Sequence, residues 1–194
     1  MTKVTIIGAT GSLGRVTANV LLEQTDVDLT LLSRSAHTLP DHARVSKISA
    51  NVFDTRALKE AINGSDLVFV ALSGDLPKMV QAIIDVMETT KVKRIIFISS
   101  YGIYGELPGQ NGRVDSILKP YRKAADRLEQ TDLDYTILRP GWFDNSSDIS
   151  YHLYPKGDVI SGNTISRLAI ADFVKEAVLH PDFYLRENLG MVRD

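Results

Sequence analysis

Apolar residues along this chain come in short unbroken runs and in longer periodic stretches, and the two alternate. The runs are Val4–Ile7, Asp28–Leu32, Val45–Ser49, Leu67–Ala71, Arg94–Ser99 and Tyr135–Leu138. Several of them lack any in-and-out alternation, as a strand covered on both sheet faces requires. Between them, apolar positions recur with helical spacing over Leu13–Gln24, Thr55–Ile62, Pro77–Thr89, Ser116–Gln130 and Ile170–His180. In the third stretch Met79, Val80, Ile83, Ile84, Val86 and Met87 form one broad stripe, and Pro77 suits a first helical turn. The alternation predicts an α/β fold, a Rossmann-like doubly wound parallel sheet with helices on both faces. No repeat, low-complexity tract or linker divides residues 1–194, so a single domain is expected. Residues 144–163 lack periodicity and are expected to form a loop region on the substrate side.

A sheet of this kind binds ligands beyond the carboxyl ends of its strands. The first strand ends in Gly8-Ala9-Thr10-Gly11-Ser12-Leu13-Gly14-Arg15, and a helical pattern follows at once. Strand, glycine turn and helix in that order suit a dinucleotide diphosphate. Gly8 lets the chain turn off the strand, Gly11 lets backbone approach a phosphate, and Gly14 lets helix and strand pack closely. Gly8 and Gly11 stand one residue further apart than the first two glycines of the common fingerprint.

The second strand is followed by Ser33-Arg34, where a protein that prefers NAD carries an acid for the ribose 2′-hydroxyl. A guanidinium there can pair with a 2′-phosphate, and Arg15 offers a second positive group. The expected cofactor is therefore NADP(H), with NAD(H) as the alternative if Arg34 is only a solvated loop residue. Asp54, after the third strand, suits an N-cap for the helix from Thr55, a contact to the adenine amino group, or both. Ala71, Leu72 and Ser73 can pass close to the riboses.

After the fifth strand, Ser99-Ser100-Tyr101-Gly102-Ile103-Tyr104 supplies hydroxyls and phenols for holding a carbonyl. After the sixth, Pro140 and Gly141 break the strand ahead of Trp142 and Phe143, which either wall a nicotinamide pocket or pack at a loop base.

Composition narrows the chemistry. The formal charge is −2 and the pI near 6.1, which gives no electrostatic case for nucleic acid or a membrane surface. The chain has no cysteine, so disulfides and thiolate chemistry are excluded. A strand so near the first residue predicts no signal peptide and a cytoplasmic protein. The four histidines have no ligand spacing, no metal is expected, and no Gly-x-Ser-x-Gly elbow or phosphate-loop Gly-Lys-Ser/Thr occurs.

The glycine loop, the Ile-Ser-Ser-Tyr segment at 98–101 and Asp132-Leu133-Asp134-Tyr135-Thr136-Ile137-Leu138-Arg139-Pro140-Gly141 together resemble the atypical short-chain dehydrogenase/reductases. Within them the chain is most similar to the compact NmrA-like NAD(P)-binding members, which include small flavin and biliverdin reductases. The resemblance implies cofactor contacts from Gly8, Thr10, Gly11, Ser12, Leu13, Gly14, Arg34 and Asp54, and an active-site serine at Ser99 or Ser100. It also implies that Ile165-Ser166-Arg167 returns toward the active site. Full members of the family carry Tyr-x-x-x-Lys on the helix after the fifth strand, where the ammonium lowers the phenol pKa. Here the segment reads Lys119-Pro120-Tyr121-Arg122-Lys123-Ala124-Ala125, so the position four after Tyr121 is alanine. Lys123 either binds the nicotinamide ribose or is a solvated lysine, and Tyr101 or Tyr104 remains as a proton source.

The leading expectation is an NADPH-dependent reductase acting on a small or flat acceptor. Ser100, Tyr104, Lys123 and Trp142 stand at the reacting end. Arg15, Ala71, Leu72, Ser73, Ser99, Lys123, Pro140 and Gly141 join the glycine loop, Arg34 and Asp54 as cofactor contacts. A monomer or small homo-oligomer is expected. The alternative is a non-catalytic NADP(H)-binding sensor with a protein partner. A nucleotide-sugar epimerase is a third reading, for which the chain leaves little room.

Overall fold

In the computed structural model, which describes residues 1–193, one sheet organises the chain. Its strands are β1 (Lys3–Ile7), β2 (Asp28–Ser33), β3 (Val45–Ser49), β4 (Leu67–Val70), β5 (Arg94–Ile98), β6 (Asp134–Pro140), β8 (His152–Pro155) and β10 (Glu187–Val192). A separate pair joins β7 (Trp142–Asp144) to β9 (Thr164–Ser166) in parallel. The helices are α1 (Ser12–Gln24), α2 (Thr55–Ile62), α3 (Leu76–Thr90), α4 (Lys119–Glu129) and α5 (Arg167–Leu179). The main sheet runs β3-β2-β1-β4-β5-β6-β10-β8, parallel throughout except for β8, which pairs antiparallel with β10.

The unbroken apolar runs are explained by cover on both faces. On one side α2, α3 and α4 set Leu58, Ile62, Val80, Ile83, Met87 and Leu128 against Val68, Val70, Phe97 and Ile137 of the sheet. On the other, α1 and α5 set Leu13, Leu21, Ile170 and Phe173 against Val4, Ile6, Phe69, Ile96 and Leu189. Neighbouring residues of a strand thus feed different cores, and each fully buried Leu, Ile or Phe contributes about 1.5–3 kcal/mol. The central strands hold this register, with Ile6 opposite both Leu31 and Phe69.

The six expected strands and five expected helices are all present, β3 and α2 with the expected ends and the others shifted by one to three residues at one or both ends. Strands four and five stop one residue early, at Val70 and Ile98, while the sixth runs on to Pro140. The stretch expected as one helix from Ser116 begins with a 3-10 turn over Ser116–Leu118. The α-helix proper starts at Lys119, with Pro120 in its first turn, where its missing N–H is not needed. The last helix begins earlier than expected, at Arg167, because Ser166 caps it by accepting from the Ala169 N–H at 2.9 Å.

Four strands were not expected. β7 and β9 have three residues each, too few for a period to register. In β10 Asn188 and Gly190 interrupt the apolar pattern. β8 lies inside the expected loop region and supplies an edge.

Candidate functional site

β2 lies on one side of β1 and β4 on the other, so the connections leaving β1 and β4 diverge and open a crevice at their carboxyl ends. The turn from β1 into α1 sits at this point. Gly8 has φ +93°, and a Cβ there would stand 2.0 Å from the Ala71 carbonyl oxygen. A Cβ on Gly14 would stand 2.4 Å from the Gly8 carbonyl oxygen, so helix and turn pack as closely as backbone allows. The Gly11 N–H donates to the Gly8 carbonyl at 3.1 Å and closes the turn. The first turn of α1 contains no acid, and no side chain caps its N–H groups. Those groups carry the positive end of the helix dipole, to which a phosphate is the natural complement.

A cavity of about 470 Å³ runs from this turn past Ser33, Arg34 and Ser35 to Asn51, Val52 and residues 71–74. Gly8, Thr10, Gly11, Ala71, Leu72 and Ser73 line it, and Arg34 is the one charged side chain among its lining residues. Arg34 is exposed and makes no hydrogen bond or ion pair among the described residues. Arg15 is placed otherwise: its Nε donates to the Thr10 carbonyl at 2.9 Å, and its side chain borders a different cavity behind α1. Asp54 caps α2, accepting from the Ala57 N–H at 3.0 Å, and lies outside the cavity lining, which Asn51 and Val52 provide at this strand end.

A second cavity of about 440 Å³ opens at the ends of β5 and β6. Ser99, Ser100, Tyr101, Tyr121, Pro140, Gly141, Trp142 and Phe143 line it. Three backbone bonds bring these distant segments together: Ser99 N–H to the Leu138 carbonyl at 2.7 Å, Tyr101 N–H to Pro140 at 3.1 Å, and Trp142 N–H to Asn163 at 2.8 Å. Trp142 is 69% exposed, so it forms a rim and not a packed loop base. The Ser99 hydroxyl is directed to the Tyr121 carbonyl and the Ser100 hydroxyl to the Tyr101 carbonyl. Tyr101 donates its hydroxyl to Asn163 Oδ1 at 2.9 Å, and burial pushes its pKa above the ordinary phenol value.

Tyr104 and Lys123 are placed away from this cavity. Lys123 is exposed on α4. The Tyr104 hydroxyl accepts from Asn188 Nδ2 at 2.8 Å, and its ring lies under the Arg122 guanidinium, 4.4 Å from the centroid. Burial, reinforced by the Glu129 charge, raises its pKa. Tyr104 belongs to a supporting network centred on Arg139, which is completely buried. Arg139 Nη1 meets Glu106 Oε1 at 2.5 Å and Nε donates to Asn188 Oδ1 at 2.9 Å. The Glu106 carboxylate also accepts the Gly102 N–H at 3.0 Å and the Tyr104 N–H at 2.7 Å. This buried pair ties the loop after β5 to β6 and β10.

Two further side chains stand at the site: Tyr121, given no role by the sequence, and Arg167, expected only as part of a segment returning toward the active site. Tyr121 lines the second cavity, and its hydroxyl makes no hydrogen bond among the described residues. Arg167 reaches from the start of α5 to Ser12 at the start of α1, Nε to Oγ at 2.9 Å. The sequence signal for Tyr121 is a phenol on the helix after the fifth strand, without the lysine four residues on that marks the family's pair. Arg167 lies too far from the glycine loop in sequence for spacing to connect them.

The residues of the crevice fit a dinucleotide: an acid-free helix start for the diphosphate, and a free arginine at the adenosine end. Known proteins agree with this geometry. A Rossmann-fold NAD(P)-binding family protein from Shigella flexneri shares 31% identity with a TM-score of 0.88, over 100% of this chain and 94% of that one. A wide-type short-chain dehydrogenase/reductase from Veillonella parvula, solved in complex with NADP, shares 26% identity with a TM-score of 0.90, over 99% of this chain and 94% of that one. An anaerobillin reductase from Escherichia coli O157:H7, 18% identical with a TM-score of 0.81, shares the fold over 98% of this chain and 97% of its own. No curated protein matches the sequence. A family model described as NAD(P)H-binding matches residues 8–181. Fold, crevice and sequence agree that the chain belongs to the NAD(P)H-binding family of Rossmann-fold, short-chain dehydrogenase/reductase-like proteins.

Proposed function

We propose that this protein is an NADPH-dependent reductase that passes hydride to a small or flat acceptor, such as a flavin, a quinone or a carbonyl compound. The observation that carries the cofactor half is Arg34, an unengaged guanidinium and the one charge lining a cavity that holds no acid. An acid here would bond a ribose 2′-hydroxyl, whereas a guanidinium fork suits a 2′-phosphate.

When bound, NADPH supplies a hydride from its nicotinamide. The chain's own groups hold the partner of that hydride. Trp142 and Phe143 offer apolar wall to a flat ring system, and Ser100 offers a hydroxyl beside it. Tyr121 lines the same cavity, and its hydroxyl, without a hydrogen bond among the described residues, can deliver a proton. Ala125, not a lysine, stands four residues after Tyr121, so no ammonium on the same helix face assists proton transfer from it. That favours acceptors whose reduced form takes its proton from solvent, flavins and quinones ahead of simple ketones.

The test is the loss of NADPH absorbance when the purified protein meets a panel of flavins, quinones, aldehydes and ketones. Oxidation with at least one flat acceptor, weakened by Trp142→Ala chiefly through KM, supports the proposal. No oxidation across the panel contradicts it.

A second reading draws on Lys123, which stands on solvent instead of beside a phenol. A sensor without turnover needs no such pair. It would bind NADP(H) tightly, distinguish oxidised from reduced cofactor, oxidise nothing and have a protein partner.

A further inference from the structure

We infer that Arg167 couples the two cavities: a diphosphate at the first turn of α1 fixes this guanidinium, and through it the Phe143–Trp142 wall. The inference rests on the reading of the crevice as a dinucleotide site.

Arg167 is anchored on the acceptor side. It follows β9, whose Ser166 pairs with Asp144 of β7. The Ser166 hydroxyl donates to the Asp148 carbonyl at 2.6 Å and caps α5. From there the side chain divides between the cavities. Nη1 donates to Asn145 Oδ1 at 2.9 Å and to the Asp144 carbonyl at 3.4 Å, and the guanidinium lies 5.1 Å from the Phe143 ring centroid. Nε donates to Ser12 Oγ at 2.9 Å, at the start of α1. Nη2 makes no hydrogen bond among the described residues, so its N–H groups stay available.

The charges at this corner make an anion the missing partner. Arg167 is the first residue of α5 and bonds the first residue of α1, and neither helix has an acid in its first turn. A cation is unfavourable at a helix N-terminus, and here one cation meets two. The nearby carboxylate that could compensate it is engaged elsewhere: Asp144 Oδ2 lies 2.8 Å from Arg193. A diphosphate at the glycine turn relieves both helix ends and gives the free Nη2 a charge-assisted partner. Arg167 then becomes a fixed strut against Phe143 and Asn145. Trp142 precedes Phe143, so the wall of the acceptor cavity is set by what occupies the cofactor cavity. Arg167 touches the diphosphate directly and acts on the acceptor only through this wall, as a positioning residue.

Trp142 is the one tryptophan of the chain, so its fluorescence reports the wall without labelling. The probe is 2′-phospho-ADP-ribose, which carries the diphosphate and lacks the nicotinamide that would touch Trp142 itself. In the native protein, saturation with the probe should reduce acrylamide quenching of Trp142. Adenosine 2′-monophosphate, without the diphosphate, should leave quenching unchanged. Arg167→Gln should weaken probe binding by calorimetry about tenfold to hundredfold, the loss expected for a hydrogen bond to a charged group. At saturation, Arg167→Gln should lose the quenching response. Arg167→Lys keeps the charge without the fork and should recover part of the affinity but not the response. Probe binding with no change at Trp142 in the native protein overturns the coupling and leaves the cofactor reading intact. A full response in saturated Arg167→Gln overturns it equally. No probe binding to the native protein overturns both readings.

Discussion

At the Arg34 end of the crevice the ligand surface is built largely on backbone: the Gly8–Gly14 turn, the start of α1 and the segment 71–74. At the Trp142 end it is side chains, brought from β5, α4, β6 and β7 and held by bonds between segments far apart in sequence. The first end tolerates almost no added atom and needs little support. The second has open, exposed walls and depends on a buried frame beneath it. A backbone cradle suits the dinucleotide that this family binds, and the proposed function puts the acceptor at the second end, which is built of side chains.

If the second end depends on its frame, breaking the frame should cost more than any change at the walls. Glu106→Ala strands the buried Arg139 charge and frees two backbone N–H groups. Removing one partner of such a pair costs about 3–5 kcal/mol, so denaturant unfolding should show a loss of that size. Backbone rigidity at the first end comes next. Gly8→Ala places a Cβ against the Ala71 carbonyl at a left-handed φ. A loss of about 3 kcal/mol is expected from strain and clash, which lowers Tm by about 6–12 °C in calorimetry. Retention of the native Tm in Gly8→Ala would remove the contrast between the two ends.

These two sites differ in how they could be read from sequence. Gly8, Gly11 and Gly14 lie within one turn, and their spacing states their geometry. Central strands such as β4 and β5 were legible for a similar reason, since burial on both faces leaves an unbroken apolar run. The acceptor end was legible only as residue types after strands. Ser100 and Trp142 fell into one cavity, whereas Tyr104 turned inward to Asn188 and Lys123 outward to solvent. Which way Tyr104 turns is decided by Arg139, Glu106 and Asn188, and no local pattern carries that pairing. β7, β9 and β10 exist through pairing with distant partners, so propensity could not announce them.

A smaller effect separates frame from wall by pH. The Tyr104 pKa is raised, first by burial and then by the Glu129 charge. The folded protein therefore keeps this proton where the unfolded chain, with a phenol pKa of about 10, has lost it. The stability it contributes is complete below about pH 10 and is lost as pH rises toward the folded value. Tyr104→Phe should cost about 1 kcal/mol at neutral pH through the lost Asn188 bond. It should also flatten the decline of stability above about pH 10, which thermal melts across alkaline pH would show. An unchanged decline would place that proton elsewhere.

The central claim is that a backbone cradle and one free arginine hold NADP(H). Parallel titration of the native protein with NADPH and NADH, followed by cofactor fluorescence, tests it most directly. NADPH should bind one to one and about tenfold to hundredfold more tightly, the difference a charge-assisted bond to a 2′-phosphate supplies, and Arg34→Asp should abolish that preference. Equal affinities in the native protein, or a preference that survives Arg34→Asp, would contradict the account.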